Sequence, residues 1–222
     1  MRGKDNEYGR MIELNEGLGD EFFDDQTNSL NPIRAWFHRS SNSAVDRLVR
    51  KYTAKGAKIV DLGCGTCNWN RRGMPVTGID INEKMPKYAK RIGRLKDYRV
   101  EDINRTGLKS NSVDVIITTE TLEHIPNYTD TIAEIRRVLK PGGIAIVTVP
   151  YDTNLSLWKP LFAVQCFIQG YLLDKELYRR NCGHINHFSP KRLSKDFEKR
   201  GFSIAEQING NFFYIIIVAR KN

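Results

Sequence analysis

Long hydrophobic runs are missing from this 222-residue chain. Its longest uncharged, mostly apolar stretch covers residues 160–173, short of the roughly 20 residues that a membrane-spanning helix needs. The opening residues, MRGKDNEYGRMIELNEG, hold no apolar segment of the kind that marks a secretory signal. Cysteine is scarce: Cys64, Cys67, Cys166 and Cys182, in a chain of this length, make no disulfide framework. Internal repeats and low-complexity tracts are absent as well. With 40% hydrophobic and 27% charged residues, 17 glycines and 8 prolines, the composition excludes collagen-like, coiled-coil and wholly disordered chains. A chain of this size buries about 70% of its unfolded surface and needs no covalent staple. The expectation is a reduced, cytoplasmic protein with a single core.

Positive charge predominates, at +9 overall, but residues 1–27 carry eight acids and three bases, a net −5 that leaves +14 for the remainder. A surface of that sign attracts anions such as nucleic acid, phosphorylated metabolites or lipid head groups. Residues 1–30 show no sustained periodicity and read as an acidic, extended arm, with residues 31–222 as the domain.

From about residue 41 the pattern is helical, with Ala44, Val45, Leu48, Val49 and Tyr52 on one stripe and Lys55-Gly56 ending it. Short apolar runs follow at 58–62, 76–80, 98–100, 113–118 and 144–149, separated by helical or turn-like segments. That alternation predicts an α/β fold, a parallel sheet covered by helices. A helix over 131–139 stops at Lys140-Pro141-Gly142-Gly143. Another begins with Ser189 as N-cap and Pro190 at N1, and ends with Gly201 at C′. Strands at 203–208 and 212–218 around Asn209-Gly210 read as a hairpin. Residues 151–187 are too long for a simple crossover. Their apolar, aromatic sequence suits helices of its own, and an insertion after a strand's C-terminal end lies over the ligand crevice of such a sheet. The segment reads as a lid.

The most chemistry lies in Ile59-Val60-Asp61-Leu62-Gly63-Cys64-Gly65-Thr66, a hydrophobic strand running into an acid, a glycine-rich turn and then a short helix. Glycine lets a ligand approach the backbone closely. Two phosphate-binding patterns fail: Asn68 stands where G-x-G-x-x-G needs its last glycine, and no G-x-x-x-x-G-K-[ST] occurs. Asp61 at a strand tip would repel a pyrophosphate and suits an ammonium or sulfonium group. Asp80 ends the second strand 19 residues later, where a carboxylate takes the two ribose hydroxyls. Asp102 follows the third strand, placed to accept from an adenine amino group. Each acid alone is an ordinary turn residue; three at successive strand ends form a pattern.

The blocks VDLGCGTCNWN, VTGIDIN, VEDIN, SVDVIITTETLEHIPN and EIRRVLKPGGIAIVTVP, and further on GHINHFSPKRLSKDFEKRGF, resemble the class I S-adenosylmethionine-dependent methyltransferases of the type 11 group. The main resemblance covers roughly residues 57–150. It implies a Rossmann-like, seven-stranded, mostly parallel sheet whose last strand is antiparallel, with helices on both faces. It also implies S-adenosylmethionine as cofactor and S-adenosylhomocysteine as product. Asp61, Gly63, Cys64 and Gly65 would then surround the methionine end, with Thr119 also meeting the methionine moiety. Asp80 and Ile81 would lie at the ribose, and Asp102 and Ile103 at the adenine. Two departures reshape the methionine end: Cys67 stands at the family's third glycine, and the first crossover is about one helical turn short.

Methyl transfer from a sulfonium is an in-line displacement at an activated carbon, so a base is needed only where the nucleophile carries a proton. Glu120, Glu123 and His124 follow the fourth strand as candidates, and His184 and His187 are placed near the site's mouth with Phe188 beneath. No metal is expected, because Cys64 and Cys67 belong to the cofactor turn and Cys182, His184 and His187 lack a fourth donor. The basic run from Lys84 to Arg99 reads as a solvated face, with no specific nucleic-acid binding. The expected acceptor is a small molecule or lipid-like. Lys159, Lys175, Arg179 and Arg180 flank the apolar lid, a combination that suits an anionic membrane surface and a location at its periphery. An RNA methyltransferase and a non-catalytic cofactor-binding protein are the alternatives.

Overall fold

The computed structural model describes residues 22–222 except Leu30, Asn154 and Leu155, and before residue 22 only Gly9, Glu13, Gly17 and Gly19. Most of the expected arm therefore lies outside the described residues.

The strands are β1 (Ile59–Leu62), β2 (Val76–Asp80), β3 (Asp97–Val100), β4 (Val113–Thr119), β5 (Leu139–Pro150), β6 (Phe202–Gly210) and β7 (Tyr214–Lys221). They form one seven-stranded sheet in the order β3-β2-β1-β4-β5-β7-β6. The pairs among β1 to β5 are parallel, and β7 runs antiparallel to both its neighbours, β5 and β6. Every residue of β1 is buried, as the uninterrupted run Ile-Val-Asp-Leu requires of a strand covered on both faces. On one face α4 (Tyr128–Val138) and α7 (Pro190–Glu198) place Ile132, Ile135, Leu193 and Phe197 against Val60, Val147 and Ile217. On the other, α2 (Pro32–Tyr52) and α3 (Lys84–Arg91) place Val45, Leu48, Val49 and Ala89 against Ile59, Ile117, Ile146 and Ile216. Alternate residues of each strand serve the two cores.

Several elements differ from the sequence reading. Helix α2 starts nine residues before position 41. The Asn31 side chain caps it, accepting from the N–H groups of Ile33 and Arg34 at 3.0 and 3.2 Å, with Pro32 preset for the first turn. Inside the expected extended arm, Phe22–Thr27 is a helix, α1, held by a two-pronged ion pair from Arg94 to Asp24 at 2.7 and 3.1 Å. No helix forms between β1 and β2, where residues 63–75 run as successive turns. Buried Asn70 replaces helical hydrogen bonds there, accepting from Met74 N–H and donating to the Met74 and Arg94 carbonyls. Strand β5 begins at Leu139, and a register shift against β4 absorbs Lys140-Pro141-Gly142-Gly143 within the strand.

The hairpin turn is displaced as well. Asn209 and Gly210 lie inside β6, paired with Ile215 and Tyr214. The turn is the three residues Asn211-Phe212-Phe213, with Asn211 and Phe212 at positive φ and Phe213 N–H on the Gly210 carbonyl at 2.9 Å, one of the common hairpin lengths. Glycine is needed at 210 for another reason: a Cβ there would collide with the Tyr214 ring.

At α7 the reading holds, with the Ser189 side chain accepting from Arg192 N–H and Pro190 in the first turn; the left-handed Gly201 stands two residues past the cap at Lys199. Between β5 and α7 come α5 (Trp158–Phe167), a π-helical turn (Ile168–Leu172) and the short α6 (Glu176–Arg179).

Candidate active site

A cavity of about 520 Å³ opens where the strand order reverses between β1 and β4, the switch point at which open α/β sheets hold ligands. Its floor includes Gly63 and Gly65 after β1, Asp80, Ile81 and Asn82 at the end of β2, and Ile103 beyond β3. Glu120, Thr121, Glu123 and His124 follow from β4. Trp158, Leu161, Phe162 and His184 roof it, and Ile33, Arg34, Phe37 and His38 of α2 form a side wall.

The floor is tied across two strands. Gly63 N–H donates to the Ile79 carbonyl at 2.8 Å, and Gly65 N–H donates to Asp80 Oδ2 at 2.8 Å. Gly63 holds φ +67°, and a Cβ on it would strike the Thr121 side chain. Asp80 Oδ1 accepts from Asn82 N–H at 2.9 Å, and Asn82 Oδ1 from Lys84 N–H at 2.8 Å. The Asn82 Nδ2 donor is left buried without a hydrogen-bond partner beside Asp80. Burial raises the Asp80 carboxyl above its usual range, partly offset by the backbone N–H groups of Asn82, Gly65 and Ile81. Ile81, Met85 and Ile103 supply an apolar edge next to these polar groups.

Gly63, Gly65, Asp80, Ile81, Ile103, Glu120, His124 and His184 thus come together around one cavity. Other residues singled out from the sequence do not line it. Asp61 is fully buried beneath the turn, accepting from Trp69 Nε1 at 2.8 Å and Cys67 Sγ at 3.3 Å. Its inward orientation follows from these donors, which only the turn-rich crossover brings within reach. Cys64 is buried with its sulfur against Gly78. Asp102 is exposed and accepts from Asn104 N–H at 2.8 Å. The Thr119 carbonyl accepts from Thr121 Oγ1 at 2.9 Å. His187 faces outward, its Nδ1 bonded to the Asp152 carboxylate.

Comparison with known proteins agrees with this geometry. Residues 60–147 match the family described as "Methyltransferase domain". The chain is similar to the demethylmenaquinone methyltransferase of Staphylococcus epidermidis, 29% identical over 171 residues that make up 67% of this chain and 69% of that protein. Residues 60–147 are a methyltransferase domain, and the protein is an S-adenosylmethionine-dependent methyltransferase. Its fold is that of a methyltransferase from Thermotoga maritima, at TM-score 0.64 and 18% identity over 88% of this chain and 97% of that one. A Mesorhizobium loti methyltransferase gives TM-score 0.58 and 18% identity over 79% and 96%. The cofactor of the enzyme is S-adenosylmethionine, and the floor suits it: an acceptor carboxylate, an orphaned amide donor, a glycine turn and an apolar edge.

The far wall of the methyltransferase site holds its titratable groups. Glu120 folds back on β5, its Oε1 accepting from Thr148 Oγ1 at 2.9 Å, and burial raises it to about 7. Burial, and then the Glu120 charge, push Glu123 well above the usual carboxylate range. Burial lowers His124, whose Nδ1 lies 3.2 Å from the Gly183 carbonyl. His184 stacks on Trp158 and Phe162 at 5.4 and 5.0 Å, and burial holds it well below its ordinary value. These imidazoles are neutral near pH 7.

Sequence reasoning missed the α2 wall, although Asn31-Pro32 is a legible helix start. It also missed Asn82 and Thr121, for which no spacing rule exists. Asp61 yields a test. Burial raises its carboxyl from 3.8 to about 7, against the lowering effect of the Trp69 and Cys67 bonds. The folded-state value lies above the unfolded one, so its contribution to stability is complete below the unfolded value and is lost as pH rises through the folded value. Urea unfolding should show the stability of Asp61→Asn gaining on the wild type by on the order of 4 kcal/mol from about pH 4 to about pH 8. A difference independent of pH would contradict the buried carboxyl.

Proposed function

We propose that the enzyme methylates an apolar, lipid-like acceptor seated under residues 151–187, with the cofactor on the glycine-turn side of the same cavity. The observation that carries this reading is the division of the cavity: Asp80, Asn82 and the glycine backbone on the floor, and Trp158, Leu161, Phe162, Val164 and Ile168 overhead. Demethylmenaquinone, the acceptor named for the staphylococcal relatives, is of this lipid-like kind. S-adenosylmethionine, when bound, supplies a methyl group already activated by its sulfonium. Asp80 accepts from the ribose hydroxyls, with Asn82 Nδ2 donating beside it. Ile81, Met85 and Ile103 hold the adenine, and Gly63 and Gly65 bring the backbone against the methionine end. Glu120 and His124 face the acceptor, and Glu120 takes a proton where its nucleophile carries one. The segment over the cavity acts as the lid that excludes water.

A second surface belongs to the same reading. Phe167, Tyr171, Leu172 and Leu173 are between 55% and 66% exposed, and none lines the cavity. Contiguous exposed apolar side chains mark an interaction surface, and Lys159, Lys175, Arg179 and Arg180 stand in the same segment. We infer that this outward face docks on an anionic bilayer, bringing the lid to the pool of lipid-like acceptor. Among the described residues, no helix is long and apolar enough to cross a membrane. In the basic run near α3, Lys90, Arg94 and Arg99 pair with Asp97, Asp24 and Glu101 at 2.8, 2.7 and 2.6 Å, as Arg179 and Arg180 do with Asp174 and Glu176 at 2.9 and 3.1 Å, so the choice of a bilayer over RNA rests on the exposed apolar side chains.

Calorimetry should detect S-adenosylhomocysteine binding that Asp80→Ala weakens by on the order of 10- to 100-fold, as for hydrogen bonds to a charged group; an unchanged affinity would remove Asp80 from the cofactor site. With methyl-labelled S-adenosylmethionine, label should enter the organic phase of a lipid extract and not total RNA. Label in RNA alone would reverse the choice of acceptor. In sedimentation with vesicles, the chain should follow phosphatidylglycerol vesicles, and the double variant Phe167→Asp, Leu172→Asp should stay in solution while keeping its cofactor affinity. Equal sedimentation of both proteins would rule the docking face out.

A further inference from the structure

Glu123 is in an uncomfortable position for a carboxyl group. The residue is 1% exposed, lines the cavity, and has no hydrogen-bond partner on either side-chain oxygen. A buried polar group left unpaired is costly, and a charged one more so. Its nearest titratable neighbour deepens the problem. The Gly183 carbonyl can only accept, so His124 Nδ1 carries the hydrogen toward it. The lone pair of His124 is therefore on Nε2, 3.8 Å from Glu123 Oε1. At that separation no hydrogen bond joins the two groups, and Glu123 Oε1 stays without a partner.

A third unpartnered group stands beside them. His184 Nδ1 is buried without a hydrogen-bond partner, and stacking on Trp158 and Phe162, with the His124 ring edge-on at 4.9 Å, restrains the ring. One ligand atom from each of Glu123, His124 and His184 lies within 4.8 Å of the others. Ligands of one transition ion, at about 2.1 Å from it, stand roughly 3–4 Å apart, so a small inward movement closes the set. The backbone already joins the two contributing segments: Ile185 and Asn186 N–H donate to the Glu123 carbonyl at 2.9 and 3.0 Å. Asn186 Nδ2 donates to the Leu122 and Ile125 carbonyls at 3.0 and 2.7 Å. His124 further has the outer partner typical of a metal-bound imidazole, a carbonyl on its second nitrogen.

We propose that Glu123, His124 and His184 bind a divalent first-row transition cation in the wall of the cavity, with its remaining coordination positions turned toward the acceptor. Two imidazole nitrogens and one carboxylate oxygen suit Mn2+, Co2+ or Zn2+ better than the all-oxygen shells of Mg2+ or Ca2+. The cation supplies the positive charge that the buried carboxyl lacks, and its open positions take an oxygen atom of the acceptor. That last role rests on the acceptor reading above; the cation site itself does not.

The test uses the full chain stripped with chelator and titrated with Co2+, followed by visible absorption and by calorimetry, with S-adenosylhomocysteine binding measured in parallel. Saturable uptake of about one Co2+ per chain is expected, with affinity lowered at least tenfold in Glu123→Gln and in His184→Gln, the range seen when metal sites lose supporting groups. His187→Gln, which alters an outward-facing histidine, should bind Co2+ as the wild type does. Retained S-adenosylhomocysteine affinity in all three variants shows that a loss of Co2+ is not a loss of fold. Absence of saturable Co2+, Mn2+ or Zn2+ binding by wild type that still binds S-adenosylhomocysteine would overturn the cation site and leave the methyltransferase reading intact. Uptake unaffected by either ligand variant would overturn the assignment of these residues.

Discussion

The hydrogen bond from Gly65 N–H to the Asp80 carboxylate is the constraint on which the rest of the site depends. It ties the turn after β1 to the end of β2, beside a second tie from Gly63 N–H to the Ile79 carbonyl. Together they turn backbone N–H groups toward the neighbouring strand, where a helix would have directed them along its own axis. The chain after β1 runs as turns, in which Asn70 Oδ1 takes the Met74 backbone N–H and Asp61 takes the indole N–H of Trp69. The crevice at the switch point is thereby floored by glycine backbone and one carboxylate.

Buried acids of one chemical type acquire different tasks from the donors within their reach. Asp61 finds Trp69 and Cys67 and is turned inward. Asp80 finds backbone N–H groups and still faces the cavity. Glu120 finds only the Thr148 hydroxyl for its side chain, and Glu123 finds nothing. Desolvation pushes all four above their ordinary values, and each hydrogen bond that reaches a carboxyl offsets part of that rise.

The cavity's walls come from parts of the chain outside the alternating core, and the β6–β7 turn links them. Trp36 of α2 packs edge-on against Phe213 at 5.3 Å, and Phe37 against Tyr214 at 6.0 Å. Tyr151, where the chain leaves β5, stacks on Phe212 at 6.1 Å and donates its N–H to the Phe213 carbonyl at 3.0 Å. Leu157 N–H, at the start of α5, reaches the Phe212 carbonyl. A three-residue turn thus holds both the side wall and the root of the roof, which makes the positive φ of Asn211 and Phe212 part of the site's architecture.

The sequence by itself determined the sheet, its parallel character, its terminal hairpin and the strand ends at which ligands are held, because burial on two faces writes continuous apolar runs and glycine turns punctuate them. The helix cap at Ser189 was legible in the same local way, through one side chain and its own following turn. Gly63, Gly65, Asp80, Glu120, His124 and His184 line one cavity, since each lies within a few residues of a strand's end or on the segment that returns over it. Only the tertiary structure decided which way each side chain faces. Asp61 and Asp80 look alike along the chain, yet the indole of Trp69, eight residues away, turns one inward. His184 and His187 share a short motif, yet stacking on Trp158 draws one into the cavity while Asp152 holds the other outside. Such choices depend on partners distant in sequence or on a crossover's exact path, and neither leaves a period, a cap or a spacing in the chain that would announce it.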